Sequence, residues 1–352
     1  MSTNSAVNAY QKHFQYHLLD VWRLVACLVI MWGHKYHLGI ESDSPFSNSW
    51  VYVEFFFIIS GYFTYAHFIR CKEKKINVHP VAYTIKKFSF YMPYIFVTVF
   101  VKCLMSYLCE GGNRLTRFFT AVLESLLVTR GDGNNGVIWY LQAMFVIFPL
   151  FCLAIKEIRR DVCFIFAWLI VILYGNYSGW KGYYLFPIHL LRALAGLSLG
   201  VIVFVISSEL GKLRLTTCGK CIMTLIEEGA LALAFLMNGF NRGTPEILVF
   251  LYAVGLIAMF SNQTYISVVK IKFSNFLKEM SFFMYLVQFV VADGLYMFTK
   301  GLSHTLLLFL YFAGTALISV MFLIYEKCIR KKLERGLSVL FTLAGDSSEL
   351  PS

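Results

Sequence analysis

Arg23 and His34 lie inside an otherwise apolar stretch, His17 to Leu38, near the N-terminus. Eleven residues of α-helix turn through roughly 1100° and rise roughly 16 Å, so both side chains occupy one face, one near an end and one well inside. An arginine or an imidazole at bilayer depth is costly, and such groups normally face a protein interior or a water-filled cavity. A guanidinium fixed in line below an imidazole can hold an anionic cofactor beneath a general base. Asp20, three residues before Arg23, can pair with it at i, i+3, and that pairing would also aim the guanidinium.

The elements that must position these groups are membrane helices. Of the 352 residues, 58% are hydrophobic and 14% charged, and the mean hydropathy is +0.66. A soluble chain carries nearer a quarter charged residues. Apolar runs long enough to cross a ~30 Å hydrocarbon core recur along the whole length. They fall near 18–38, 49–69, 88–109, 137–155, 161–175, 190–208, 221–239, 246–261, 278–298 and 304–326. The expected fold is therefore an all-α polytopic membrane protein of about ten transmembrane helices. It forms a single domain over 1–352, with spans over roughly 18–326 and a basic cytoplasmic tail at 327–352.

The segment 115–129 is short and carries Arg117 and Glu124. With the N-terminus inside and this segment not crossing, the cytoplasmic segments hold 21 of the 31 Lys and Arg residues, as the positive-inside rule requires. If it crossed, the Lys156-Glu-Ile-Arg159-Arg160 cluster and all that follows would invert. Both termini are thus expected in the cytoplasm, with 115–129 re-entrant or interfacial on the outer side. The net charge of +11 follows from this bias and from attraction to anionic headgroups. It is scattered over six segments with no continuous patch, which excludes a nucleic-acid partner. The first span lacks a small-residue cleavage site and is not a signal peptide. Most of the nine cysteines sit in apolar helices as small core residues. Cys218-Gly-Lys-Cys221 has no second pair beside it, and no metal site is expected.

The first two spans read His17-Leu-Leu-Asp20-Val-Trp-Arg23, then His34 after ten further residues, then Val53-Glu54-Phe-Phe56-Phe-Ile-Ile-Ser60-Gly61-Tyr62. This resembles the integral-membrane acyltransferase-3 family, whose members open with Asp-x-x-Arg-x10-His and follow with an acidic residue, Phe-Phe, aliphatics and Ser-Gly. Trp139-Tyr140-Leu141, Leu191-Arg192-x7-Gly200 and Met284-Tyr285-Leu286 look like its later elements, so the resemblance covers most of the chain. Two positions depart from the pattern. Phe90 stands where many members carry Arg ahead of Pro93, after the matching Lys86-Lys87. Gln288 replaces the usual His after Tyr-Leu.

The resemblance implies transfer of an acyl group, usually acetyl from acetyl-CoA, to a hydroxyl of a sugar or similar acceptor. On that reading Arg23 pairs with a coenzyme A phosphate, and His34 takes the proton of the attacking hydroxyl. Glu54, at a depth similar to that of His34, orients the imidazole as the acid of a triad does. Ser60 lines the cofactor channel, with a nucleophilic role as the alternative. His37 reads as a loop or interface residue and Trp139 as an interfacial aromatic or acceptor contact. Arg192 and Lys102 need partners within their spans; Arg192 could make a second phosphate contact, although it starts from the outer side. The expected partners are an acyl-CoA, a sugar-containing acceptor and the lipid bilayer, in a bacterial plasma membrane. The outer segment 110–136, with Gly111, Gly112 and Arg130-Gly-Asp-Gly-Asn-Asn-Gly136, is a candidate lid. The rival from another class is a transporter or flippase of glycolipid precursors, with Arg23 and His34 as substrate or proton sites.

Overall fold

A computed structural model describes residues 16–40, 45–46, 48–109, 138–177, 188–242, 244–266, 269–299 and 301–330. Among them are eleven α-helices and no strand. In hydrocarbon only a helix or a closed barrel satisfies its own backbone, and the uninterrupted apolar runs choose the helix. The helices are α1 (His17–Gly33), α2 (Tyr52–Glu73), α3 (Pro80–Ser89), α4 (Met92–Cys109), α5 (Ile138–Glu157) and α6 (Arg160–Tyr177). They continue with α7 (Ile188–Leu210), α8 (Thr217–Gly239), α9 (Pro245–Phe260), α10 (Ser274–Phe298) and α11 (His304–Tyr325).

A helix occupies each of the ten expected spans. Six stretches are long and apolar enough to cross a membrane outright: His17–Leu38, Trp139–Glu157, Ile188–Leu210, Thr217–Gly239, Ser274–Met297 and His304–Cys328. The bent pair α3 and α4 makes a seventh if taken as one span. The protein is an integral membrane protein. The expected segment 115–129 and the candidate lid 110–136 lie outside the described residues.

Local chemistry sets the boundaries. The Thr216 hydroxyl accepts from Gly219 N at 3.2 Å to open α8, and Ser303 caps α11 through Leu306 N at 3.4 Å. Pro80 and Pro245 sit in the first turns of α3 and α9, where a missing N–H costs nothing. The sequence suggested one span from 88 to 109. Instead α3 stands apart and bends by 53° from the helix that follows. Pro93 is the reason, because its ring and missing N–H forbid continuation from the preceding turn. The first span also departs from a uniform helix: α1 stops at Gly33, and His34–Leu38 continues as a 3₁₀ turn that ends at Gly39, φ +74°. His34 therefore sits at this change of helix type.

Two parallel helix pairs frame the interior. α1 and α10 run side by side, tied at their starts by His17 Nδ1 and Ser274 Oγ at 2.5 Å. α2 and α7 meet backbone to backbone. A Cβ added at Gly61 would lie 2.2 Å from the Leu197 carbonyl oxygen, and one at Gly200 would lie 2.4 Å from that of Ile58. Gly196 and Gly200 form a small-xxx-small face of the kind that lets membrane helices approach closely. Gly61→Val should destabilise the protein by about 3 kcal/mol or more, because backbone cannot yield as a rotamer can. Gly229→Ala, which meets nothing within 4 Å, should leave thermal unfolding in detergent nearly unchanged. Equal melting of the two variants would contradict this account of the α2–α7 contact.

Candidate active site

At the start of α1, Arg23 Nη1 donates to Asp20 Oδ1 at 2.6 Å, the expected i, i+3 pair. The guanidinium lies 5.8 Å from the centre of the Phe63 ring of α2. Lys87 of α3 enters the same region. Its Nζ donates to Thr64 Oγ1 at 3.3 Å and lies 4.2 Å from the centre of the Phe148 ring. Lys87 is near enough to Arg23 for the two charges to oppose each other, and among the described residues it makes no ion pair. Tyr91 and Tyr140 also face Arg23, and Tyr140 meets Ser60. Helices α1, α2, α3 and α5 thus converge on two cations and one carboxylate. The surplus positive charge, surrounded by hydroxyls, suits an anion.

At the other end of α1, His34 Nδ1 lies 3.3 Å from Gln288 Oε1 on α10. The Tyr311 hydroxyl donates to the same oxygen at 3.3 Å, while Gln288 Nε2 donates to the Tyr285 carbonyl at 3.0 Å. The amide is fixed in orientation, and its oxygen can only accept. His34 Nδ1 therefore carries the proton and Nε2 is the basic nitrogen. The imidazole packs on Phe289, ring centres 4.6 Å apart.

The structure does not pair Glu54 with His34. Glu54, 3% exposed, accepts from Arg192 Nε at 2.6 Å. The Arg192 guanidinium lies between two indoles, 4.6 Å from the Trp50 ring centre and 4.5 Å from that of Trp139. The cause is the close α2–α7 packing, which sets the start of α7 over the start of α2. A guanidinium outcompetes a neutral imidazole for a buried carboxylate. Arg192, for which a second phosphate contact was considered, has its charge matched by Glu54. Lys102 finds its partner in Asp293, 3.2 Å away.

Sequence reasoning missed three contributors. Lys87 was visible only as a motif match, yet a lysine one turn before a helix break is well placed to point inward. Gln288 read as the loss of an imidazole, but a polar side chain in an apolar helix is itself a signal. Trp50 precedes its helix and gave no signal.

These features define a polytopic helical membrane protein carrying ionisable groups at two depths of one helix. The acyltransferase-3 family model, an acyltransferase domain, matches residues 16–325. The chain belongs to that family and is a membrane acyltransferase. No curated protein and no solved structure matches it significantly.

Proposed function

We propose that this protein is a membrane O-acyltransferase that moves an acetyl group from acetyl-CoA to a hydroxyl of a surface glycan or its lipid-linked precursor. The observation that carries this reading is the placement of His34, with its Nδ1 on Gln288, on the same helix as Arg23. The anion-ready cluster of Arg23 and Lys87 lies roughly 16 Å away along that helix, a distance an extended pantetheine arm can bridge.

In the proposed reaction His34 Nε2 takes the acceptor hydroxyl's proton as the oxygen attacks the thioester carbonyl. The tetrahedral intermediate collapses with cleavage of the C–S bond. The departing thiolate takes the proton from the His34 imidazolium, leaving an O-acyl ester and coenzyme A. Tyr311 and Gln288 hold the imidazole in the productive tautomer. Arg23 and Lys87 bind the donor's phosphates, Asp20 aims Arg23, and Ser60 with Tyr140 lines the channel between. Glu54 acts through Arg192 as a positioning residue, holding the guanidinium between Trp50 and Trp139. The domain spans the chain, both termini face the cytoplasm of a bacterial plasma membrane, and the donor enters from that side. The parallel sense of α1 with α10 and of α2 with α7 supports this order of spans.

Arg23→Gln and Lys87→Gln should each raise the KM for acetyl-CoA about ten- to a hundredfold, the worth of a charge-assisted hydrogen bond. The KM for acceptor should stay the same. The assay is release of free coenzyme A by purified protein in lipid, with a crude glycolipid fraction as acceptor. Movement of glycolipid across the bilayer without acetyl-CoA consumption would favour the transporter instead.

A further inference from the structure

Beyond His34 the 3₁₀ turn presents a second cluster that the transfer chemistry does not use. His37 Nδ1 lies 3.8 Å from Asp293 Oδ1, too far for a direct hydrogen bond. Lys102 Nζ holds the other carboxylate oxygen at 3.2 Å. Aromatic contacts alone fix the His37 ring, with Tyr36 and Phe289 at 4.3 and 4.5 Å between centres. Its Nε2 is buried and makes no hydrogen bond among the described residues. That nitrogen is closed to any ligand, so Nδ1, facing Asp293, is the edge left to receive one. Beside it Tyr36 is 52% exposed. Tyr296, 60% exposed, lies one turn beyond Asp293 and reaches the Gly39 end of the same turn.

Interfacial tyrosines are common in membrane proteins and by themselves imply nothing. Here they border a carboxylate and an imidazole that face each other across a gap. One hydroxyl can sit about 2.8 Å from both groups over a 3.8 Å base, donating to Asp293 and meeting His37 Nδ1. Lys102 cancels the Asp293 charge, so the cluster favours a neutral ligand over an ionic one. An exposed aromatic face offers the C–H side of a sugar ring a stacking surface. His34 and His37 are 6.4 Å apart, ring centre to ring centre, a separation that one sugar ring spans.

We propose that Tyr36, His37 and Asp293 form a subsite for a neutral hexopyranose unit of the acceptor, which fixes the hydroxyl that His34 receives. The subsite deepens the O-acyl transfer reading and rests on it for its purpose. Tyr36 supplies the platform, and Asp293 with His37 grips one ring hydroxyl. Another hydroxyl of the same ring is thereby turned towards His34, so the subsite determines which position becomes acylated.

The test is saturation-transfer NMR with methyl β-D-glucopyranoside on the full chain in lipid nanodiscs. The wild type should transfer saturation to the ring protons. Tyr36→Ala and Asp293→Asn should weaken the effect about three- to tenfold, in proportion to one lost aromatic contact or hydrogen bond. Tyr36→Phe, which keeps the stacking face, and His34→Ala should retain it. No transfer to the wild type, or equal transfer to Tyr36→Ala, overturns the subsite. The same samples are then given acetyl-CoA and assayed for coenzyme A. Binding without release by the wild type sinks the transfer reading and leaves the subsite standing. Release that is indifferent to Tyr36→Ala does the reverse.

Discussion

His34→Ala should reduce acceptor-dependent coenzyme A release by a factor on the order of 10²–10⁴, the usual worth of a general base. The variant should still fold, because among the described residues the side chain makes one hydrogen bond, to Gln288 at 3.3 Å, and otherwise packs on aromatic rings. Gln288→Leu separates two explanations. It keeps the imidazole but removes the acceptor that fixes Nδ1–H, so kcat should fall while the KM for acetyl-CoA holds. If His34→Ala kept near-normal turnover in protein eluting as the wild type does, the base would have to lie elsewhere.

The second large effect concerns stability. Glu54→Ala leaves the Arg192 guanidinium in the interior without its carboxylate, and removing one partner of a buried pair costs about 3–5 kcal/mol. Few single changes reach that size, so the variant should melt far below the wild type or fail to accumulate. Glu54→Gln together with Arg192→Met removes both charges and should recover most of the loss. Thermal unfolding of the three proteins in one detergent decides it. If the double variant is no better than Glu54→Ala, the charge pair is not what holds the starts of α2 and α7 together. Activity adds a separate reading: a stable double variant that turns over slowly would place Glu54 and Arg192 in positioning Trp50 and Trp139 as well.

Much of this was legible before any coordinates. Spans announce themselves because hydrocarbon tolerates nothing but long apolar helices. The Asp20–Arg23 pair is readable from its three-residue spacing. Glu54 was different. Its partner is 138 residues away in sequence, and the choice between Arg192 and His34 depends on how closely α2 and α7 approach. Ser60-Gly61 and Gly200 were visible only as motif positions, which carry no register between helices. Helix α3 was missed because it is amphipathic and carries Lys86 and Lys87, a pattern that reads as a cytoplasmic loop when only apolar runs are counted. His37, read as a loop or interface residue, packs on Phe289 beside Asp293. Tertiary contact alone could reveal that.

The glycine contact between α2 and α7 has a mechanical corollary. Where helices meet through interleaved side chains, a change of rotamer lets one helix slide past another. Where there is no room even for a Cβ, as between Gly61 and the Leu197 carbonyl, there is no such bearing layer. The two helices can only move as one plate. Any breathing that admits a bulky acceptor or releases a product must then fall to contacts made through side chains, such as those of α10 with α4 around Lys102, Phe289 and Asp293. The glycine contact thus makes the Glu54–Arg192 pair and the two helix starts it joins a single rigid unit.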